Sequence, residues 1–153
     1  MNKDFKSRLI TTLKEVGTNV CIDSALKLEK DDSNILKLEL RNADLDENHL
    51  KKIGDTLTSF ENEEYSFKTL SFSYNHIGDK GAEYLSKSMP LELVELGLVG
   101  CSITDAGGRE LLKWLNKTKN LKLLCIENNK FSKNFLSELS TFLKSKTNLC
   151  LVI

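Results

Sequence analysis

The sequence predicts an α/β solenoid, a stack of repeats in which a short strand is followed by a helix. Three observations carry the prediction. First, four segments fit one template, with apolar residues in the first, fourth, sixth and eleventh slots and asparagine or cysteine in the ninth. They are Ile35–Leu38–Leu40–Ala43–Leu45, Phe67–Leu70–Phe72–Asn75–Ile77, Leu93–Leu96–Leu98–Cys101–Ile103 and Leu121–Leu124–Ile126–Asn129–Phe131. Second, the starts recur at residues 35, 67, 93 and 121, and a partial fifth copy begins at Leu149 with Val152 in its second slot. Repeats of this size bury an apolar face only by stacking on their neighbours. Third, after the ninth slot the apolar spacing changes from alternating to helical, and Asp79 with Gly81 recurs as Asp105 with Gly107.

The elements follow in chain order. Residues 1–34 read as an N-terminal cap, because a first repeat has no neighbour to cover its core. Within it Phe5, Leu9, Leu13 and Val16 lie at helical spacing and Gly17 is the stop. Leu26 and Leu28 alternate with polar residues and predict a short strand before the Asp31-Asp32-Ser33-Asn34 turn. Residues 35–153 hold the repeats and complete one structural domain with the cap. Each L-x-L core predicts a strand, and helices are expected over Asn48–Leu57, from Ile77 to Met89, from Ile103 to Leu115, and over Lys133–Leu143. Asp79 and Asp105 are expected to N-cap their helices, and Gly81 and Gly107 to permit close packing.

The I-x-D-x-G-x-x-x-L helix starts at Ile77 and Ile103, with Asn75, Cys101 and Asn129 in the ninth slot, resemble the ribonuclease-inhibitor class of leucine-rich repeat. The resemblance covers roughly residues 35–153, with Ala43 and the acidic insertion Glu61-Asn62-Glu63-Glu64-Tyr65 as departures. It implies a short right-handed arc with parallel strands on the concave face and helices on the convex face. It also implies a concave surface that grips another protein, as the namesake covers an enzyme's active site. Small proteins of this class also occur among effectors that intracellular bacterial pathogens deliver into host cells, and this Lys-rich chain is similar to them. Its expected location is therefore a cytosol, its own cell's or a host's.

Composition narrows the function. The 153 residues are 40% hydrophobic and 29% charged, which sustains a continuous core. Acidic and basic residues balance at 22 each, so no net field draws the chain to nucleic acid or a membrane. No apolar run approaches ~18 residues, and the charged start Met1-Asn2-Lys3-Asp4 is unlike a secretory signal. Cys21, Cys101, Cys125 and Cys150 sit in apolar segments without C-x-x-C spacing, and read as reduced, mostly buried thiols. His49 and His76 fall in different places of the repeat and share no metal-ligand motif; no metal or cofactor is expected. Cys125 is a nucleophile candidate only by inspection, since its repeat supplies no histidine to activate it.

Strand side chains alternate between faces, so the residues between the template leucines line the concave surface. The candidate partner-binding residues are Glu39, Arg41, Asn42 and Asp44 from the first repeat and Ser71, Ser73, Tyr74 and His76 from the second. Glu95 and Val99 come from the third, and Glu127, Asn128 and Lys130 from the fourth. Gly97 and Gly100 are expected to leave room for a protruding group, and Leu123, Leu151 and Ile153 to form an apolar end. Tyr74 and His76 also read as solvated strand residues, the apolar end as a self-associating edge, Trp114 as helix packing, and Glu61–Glu64 as a solvated loop. The sequence thus predicts a non-catalytic protein-interaction module, monomeric or in a 1:1 heterodimer, that inhibits or regulates a partner enzyme by occlusion. The alternative is an adaptor or host-directed effector that recruits a target without blocking it.

Overall fold

Two helices open the chain where the sequence predicts one helix and a strand. In the computed structural model, which describes residues 4–60, 64–146 and 148–153, α1 spans Phe5–Val16 and α2 spans Asn19–Lys30. Asp4 caps α1 by accepting from the Ser7 amide, and Gly17 ends it at φ 78°. Thr18 caps α2, whose Cys21, Ala25 and Leu28 are buried. That four-then-three spacing is one helical face, and its burial against α1 overrides the local alternation at Leu26 and Leu28. Leu26 is left exposed. The hairpin covers the first repeat: Phe5 packs edge-on against Phe60 and Phe67, and the Thr12 and Thr56 hydroxyls share a hydrogen bond of 2.6 Å.

Strands and helices then alternate: β1 Ile35–Glu39, α3 Glu47–Leu57, β2 Ser66–Ser71, α4 Gly78–Ser88, β3 Glu95–Gly97, α5 Asp105–Leu115, β4 Leu123–Cys125, α6 Lys133–Leu143 and β5 Cys150–Val152. The five strands form one parallel sheet in chain order. Leu38, Leu70, Leu96 and Leu124 stand in register as one core layer, with Leu40, Phe72, Leu98 and Ile126 as the next, all buried. Of the acidic insertion, Glu61, Asn62 and Glu63 lie outside the described residues.

The register departs from the template at both ends. In β1 Leu36, not Ile35, pairs with Phe67, because β2 carries an extra residue, Lys68, opposite the Leu36–Lys37 step and the ladder shifts by one residue. Leu36 takes the core slot at 1% exposed and Ile35 is turned out at 47%. In β5 Leu151 pairs with Leu124, so Leu151 points to the core, while Cys150 and Val152 face the other way. The connection from α6 is one residue shorter than the template assumes, and a one-residue slip exchanges the faces.

Two side-chain ladders join the repeats. Asn75 Oδ1 accepts from the Ala43 and Leu45 amides at 2.9 and 3.0 Å, and its Nδ2 donates to the Leu40 and Phe72 carbonyls at 2.8 and 2.7 Å. Asn129 repeats the pattern two repeats on, toward Cys101, Ile103, Leu98 and Ile126. Each asparagine reaches back to the preceding turn, which explains why Ala43, with no repeat before it, needs no polar side chain. Between them Cys101 Sγ donates to the Phe72 carbonyl at 3.3 Å. Burial pushes its pKa up to about 11 against the lowering effect of the Asn75 and Tyr74 amides.

Asp79 and Asp105 do not cap their own helices, as the sequence suggested. Thr104 and Ser132 are the caps of α5 and α6. Asp79, in the first turn of α4, instead accepts from the Thr104 amide, the Thr104 hydroxyl and the Gly107 amide at 2.8, 2.7 and 3.0 Å. Asp105 does the same for the Ser132 amide and hydroxyl at 2.8 and 2.6 Å. Each carboxylate therefore holds the start of the next helix, where the helix dipole favours negative charge. Gly107 is needed for this, because a Cβ there would lie 2.5 Å from Asp79 Oδ1.

Candidate functional site

The ladder hydrogen bonds set the spacing of the surface that the strands present. Beyond the strand ends the pairing continues through Asn42 N to Ser73 O, Tyr74 N to Val99 O and Gly100 N to Glu127 O, at 2.7–2.9 Å. Four rows result, each crossing the repeats. The first is Lys37, Thr69, Glu95, Leu123 and Cys150; the second is Glu39, Ser71, Gly97, Cys125 and Val152. The third is Arg41, Ser73, Val99 and Glu127, and the fourth Asn42, Tyr74, Gly100 and Asn128.

The fourth row is left-handed throughout, with φ of 49°, 59°, 61° and 57°. Glycine tolerates that conformation without penalty, as Gly100 does, whereas a bulky side chain costs about 1–3 kcal/mol. Tyr74 bears that cost and is 41% exposed. The Arg41 guanidinium lies over the ring, 4.5 Å from its centroid, and the Cδ1–Cε1 side of the ring lies against Gly100. A Cβ on Gly100 would come within 2.9 Å of Tyr74 Cδ1. The room expected at the two glycines is therefore already taken: Tyr74 fills it at Gly100, and the Ser71 hydroxyl closes it at Gly97, 2.8 Å from an added Cβ.

Other candidates separate by exposure. Glu39, Arg41, Asn42, Asp44, His76, Asn128 and Lys130 are exposed, while Ser71, Glu95, Val99 and Glu127 are half-buried. Ser73 is not available to a partner. It is buried, accepts the Val99 amide at 3.0 Å and receives the Ser71 hydroxyl at 3.3 Å, so it serves the turn of the next repeat. Glu95 accepts from the Thr69 hydroxyl at 2.7 Å. Glu127 holds one carboxylate oxygen away from solvent with no hydrogen-bond partner. The apolar end is made by Leu123 and Val152 with Cys125 and Cys150, since Leu151 turns inward and Ile153 lies beyond β5. Counting forward from Leu124 along a shortened last loop would have revealed this.

The chemistry of the site is that of contact. Burial raises the pKa of the Cys125 thiol, and Glu127, Cys150 and Glu95 raise it further, which is the wrong direction for a nucleophile. His49 is engaged elsewhere, closing a capping box with Asp46 at the start of α3. Among the described residues no three of His, Cys, Asp and Glu are placed to hold a metal, and no helix is long and apolar enough to cross a membrane. The void between α5, α6 and the sheet is about 10 Å³, a single water's worth, and is lined by Leu96, Leu111, Leu124 and Phe135. Trp114 is also a core residue, buried with Nε1 donating to the Met89 carbonyl at 3.2 Å.

Comparison with known proteins agrees with this architecture. Residues 66–86, which hold β2, the Asn75 turn and most of α4, match a family model described as Leucine Rich repeat. No curated protein matches the chain. Among solved structures, the chain is similar to one titled Leiomodin-1 Actin-Binding Site 2 (ABS2), at 15% identity and a TM-score of 0.64. The alignment covers 99% of this chain and 79% of that one, which shows that the two share the leucine-rich-repeat solenoid.

Proposed function

We propose that this leucine-rich-repeat solenoid is a non-catalytic protein-interaction module whose concave rows grip a partner protein. The observation that carries the reading is Tyr74: a half-exposed aromatic ring in a left-handed position, stacked under Arg41 before any partner arrives. Tyr and Arg are the residue types that most often concentrate binding energy, and a side chain already fixed loses little entropy on binding. Around it, Glu39, Glu95 and Glu127 mix with Val99 and lead to the apolar end at Leu123 and Val152, so polar and apolar contact surface lie side by side, as at interfaces. The structural relative is titled as an actin-binding site, which supports protein binding as a use of this architecture.

The more specific proposal is that the bound partner is an enzyme whose active site is occluded, one to one, in a cytosol. Five strands ~4.8 Å apart span only ~20 Å, enough to cover one cleft. The alternative is an adaptor or host-directed effector that leaves its target active. Glu39→p-benzoylphenylalanine, at an exposed strand position, tests the surface: a partner should photo-cross-link from Glu39 and not from Lys113 on the outside of α5. Titrating the captured enzyme then separates the two modes. Loss of activity at one equivalent supports occlusion, whereas full activity at saturation supports the adaptor.

A further inference from the structure

The solenoid has a second unusual surface, distinct from the concave rows. It is the edge where each helix returns to the next strand. In the return segments 116–122 and 144–149 the chain places Lys117, Lys119, Lys122, Lys144 and Lys146 with no acidic residue between them. The chain carries no net charge, so these lysines are segregated rather than sampled from a basic composition. On the helices Lys51, Lys52, Lys87 and Lys113 pair with Asp55, Glu15, Glu83 and Glu110 at 2.6–3.6 Å. Lys117, Lys119, Lys122 and Lys144 make no ion pair among the described residues, and Lys146 donates to the Thr118 carbonyl at 2.8 Å.

Compensation of helix dipoles accounts for lysines that directly follow α5 and α6. It does not account for Lys68 and Lys122, which flank a groove at the strand starts. The groove measures about 360 Å³, and its lining includes apolar Ile35, Phe67 and Val94 and acidic Glu92 beside the two lysines. Ile35 is the residue that the register shift at Lys68 turns out of the core and leaves 47% exposed. At Glu92 the groove meets a second one of about 300 Å³ that carries exposed Leu91.

We infer that this return edge is a docking surface for an acidic, amphipathic segment of another protein, bound in extended form. Charge selects an acidic occupant on the later half of this edge, from Lys68 onward, where lysines outnumber the single acid Glu92; the earlier return segments carry Asp31, Asp32 and Glu64. From β1 to β4 the groove crosses three strand spacings, roughly 14 Å, which four or five extended residues fill. In an extended chain alternate side chains point the same way. One set lies on Ile35 and Val94; the other set points away from them, and its carboxylates are reached by the long, exposed side chains of Lys68 and Lys122.

The test uses the full chain and fluorescein-labelled peptides of roughly eight residues, with Glu at alternate positions and Leu or Ile between. Fluorescence anisotropy should show saturable binding that weakens as salt rises from about 0.05 to about 0.3 M. The Lys68→Glu/Lys122→Glu variant should bind about tenfold or more weakly, and Ile35→Ser should also weaken binding. Lys133→Glu, the same charge change at the opposite edge, should leave binding unchanged. Peptides with Lys in place of Glu should not bind. The inference is overturned if no acidic peptide binds, if the doubly reversed variant binds equally, or if the chain binds phosphatidylserine vesicles and no peptide. Because none of these variants lies on the concave rows, failure here leaves the concave-face proposal standing.

Discussion

Replacing Asn75 by alanine removes the polar bridge between the first two repeats while leaving the apolar layers in place. The Asn75 side chain satisfies the amides of Ala43 and Leu45 and the carbonyls of Leu40 and Phe72, all at 3.0 Å or less. It is 2% exposed, so water does not reach these groups without distorting the turn. An orphaned buried polar group costs about 1–3 kcal/mol, and the two amides, having one bonding direction each, suffer most. Asn75→Ala should therefore destabilise by about 3–5 kcal/mol, a large share of the ~5–15 kcal/mol typical of a domain. For a chain of this length that corresponds to a melting temperature lower by roughly 10 °C. Urea unfolding followed by circular dichroism gives the free energy, and thermal unfolding the midpoint. Asn75→Asp should be no rescue, because a carboxylate would face the Leu40 and Phe72 carbonyls. A loss below about 0.5 kcal/mol for Asn75→Ala would refute the ladder as a source of stability.

Three further predictions concern other joints of the solenoid. Asp79 has a lowered pKa: burial pushes it up, but the Thr104 hydroxyl and the Thr104 and Gly107 amides outweigh that; at Asp105 the Ser132 hydroxyl and amide lower it. Their contribution is complete above the ordinary carboxylate range and is lost as pH falls through the lowered folded-state values, so acid should destabilise the chain below about pH 4. Asp79→Asn should flatten that dependence, as read by urea midpoints from pH 7 to pH 3. Thiol labelling of native protein should modify exposed Cys150 first, then half-buried Cys125, and reach buried Cys21 and Cys101 only on unfolding; denatured, non-reduced protein should titrate as four thiols. Removing residues 149–153 should lower stability or solubility, because Leu149 and Leu151 pack on the core and Leu124 would lose its strand partner. A truncated chain as stable as the parent would show that β5 adds nothing.

The repeated part of the fold was legible because the template residues do one job in every copy: Leu38, Leu70, Leu96 and Leu124 are spaced by the solenoid itself. What escaped was set by tertiary context. The α2 helix was hidden because Leu26 and Leu28 mimic alternation, while the deciding contacts come from α1. Ile35 and Leu36 are both apolar, and only the extra residue in β2 decides which one is buried. At the other end a loop shorter by one residue exchanged Leu151 with Val152. Asp79 and Asp105 were recognised as helix-start carboxylates, but sequence spacing does not reveal that each serves the following helix. In the site, alternation placed most of the exposed side chains. It missed Ser73, whose hydroxyl is drawn into the Val99 turn, and it read Gly100 as empty space because the Tyr74 ring arrives from another repeat.

The central claim is that a partner is held on the concave rows through Tyr74. Calorimetric titration of the captured partner into Tyr74→Ala and Lys113→Ala measures it directly. Truncating a central aromatic anchor costs about 1–3 kcal/mol, so Tyr74→Ala should weaken binding by about five- to 150-fold, with the fold intact by circular dichroism. Lys113→Ala, on the outer face of α5, should bind as the parent does. Parental affinity in Tyr74→Ala together with lost binding in Lys113→Ala would contradict the account and move the partner to the convex side.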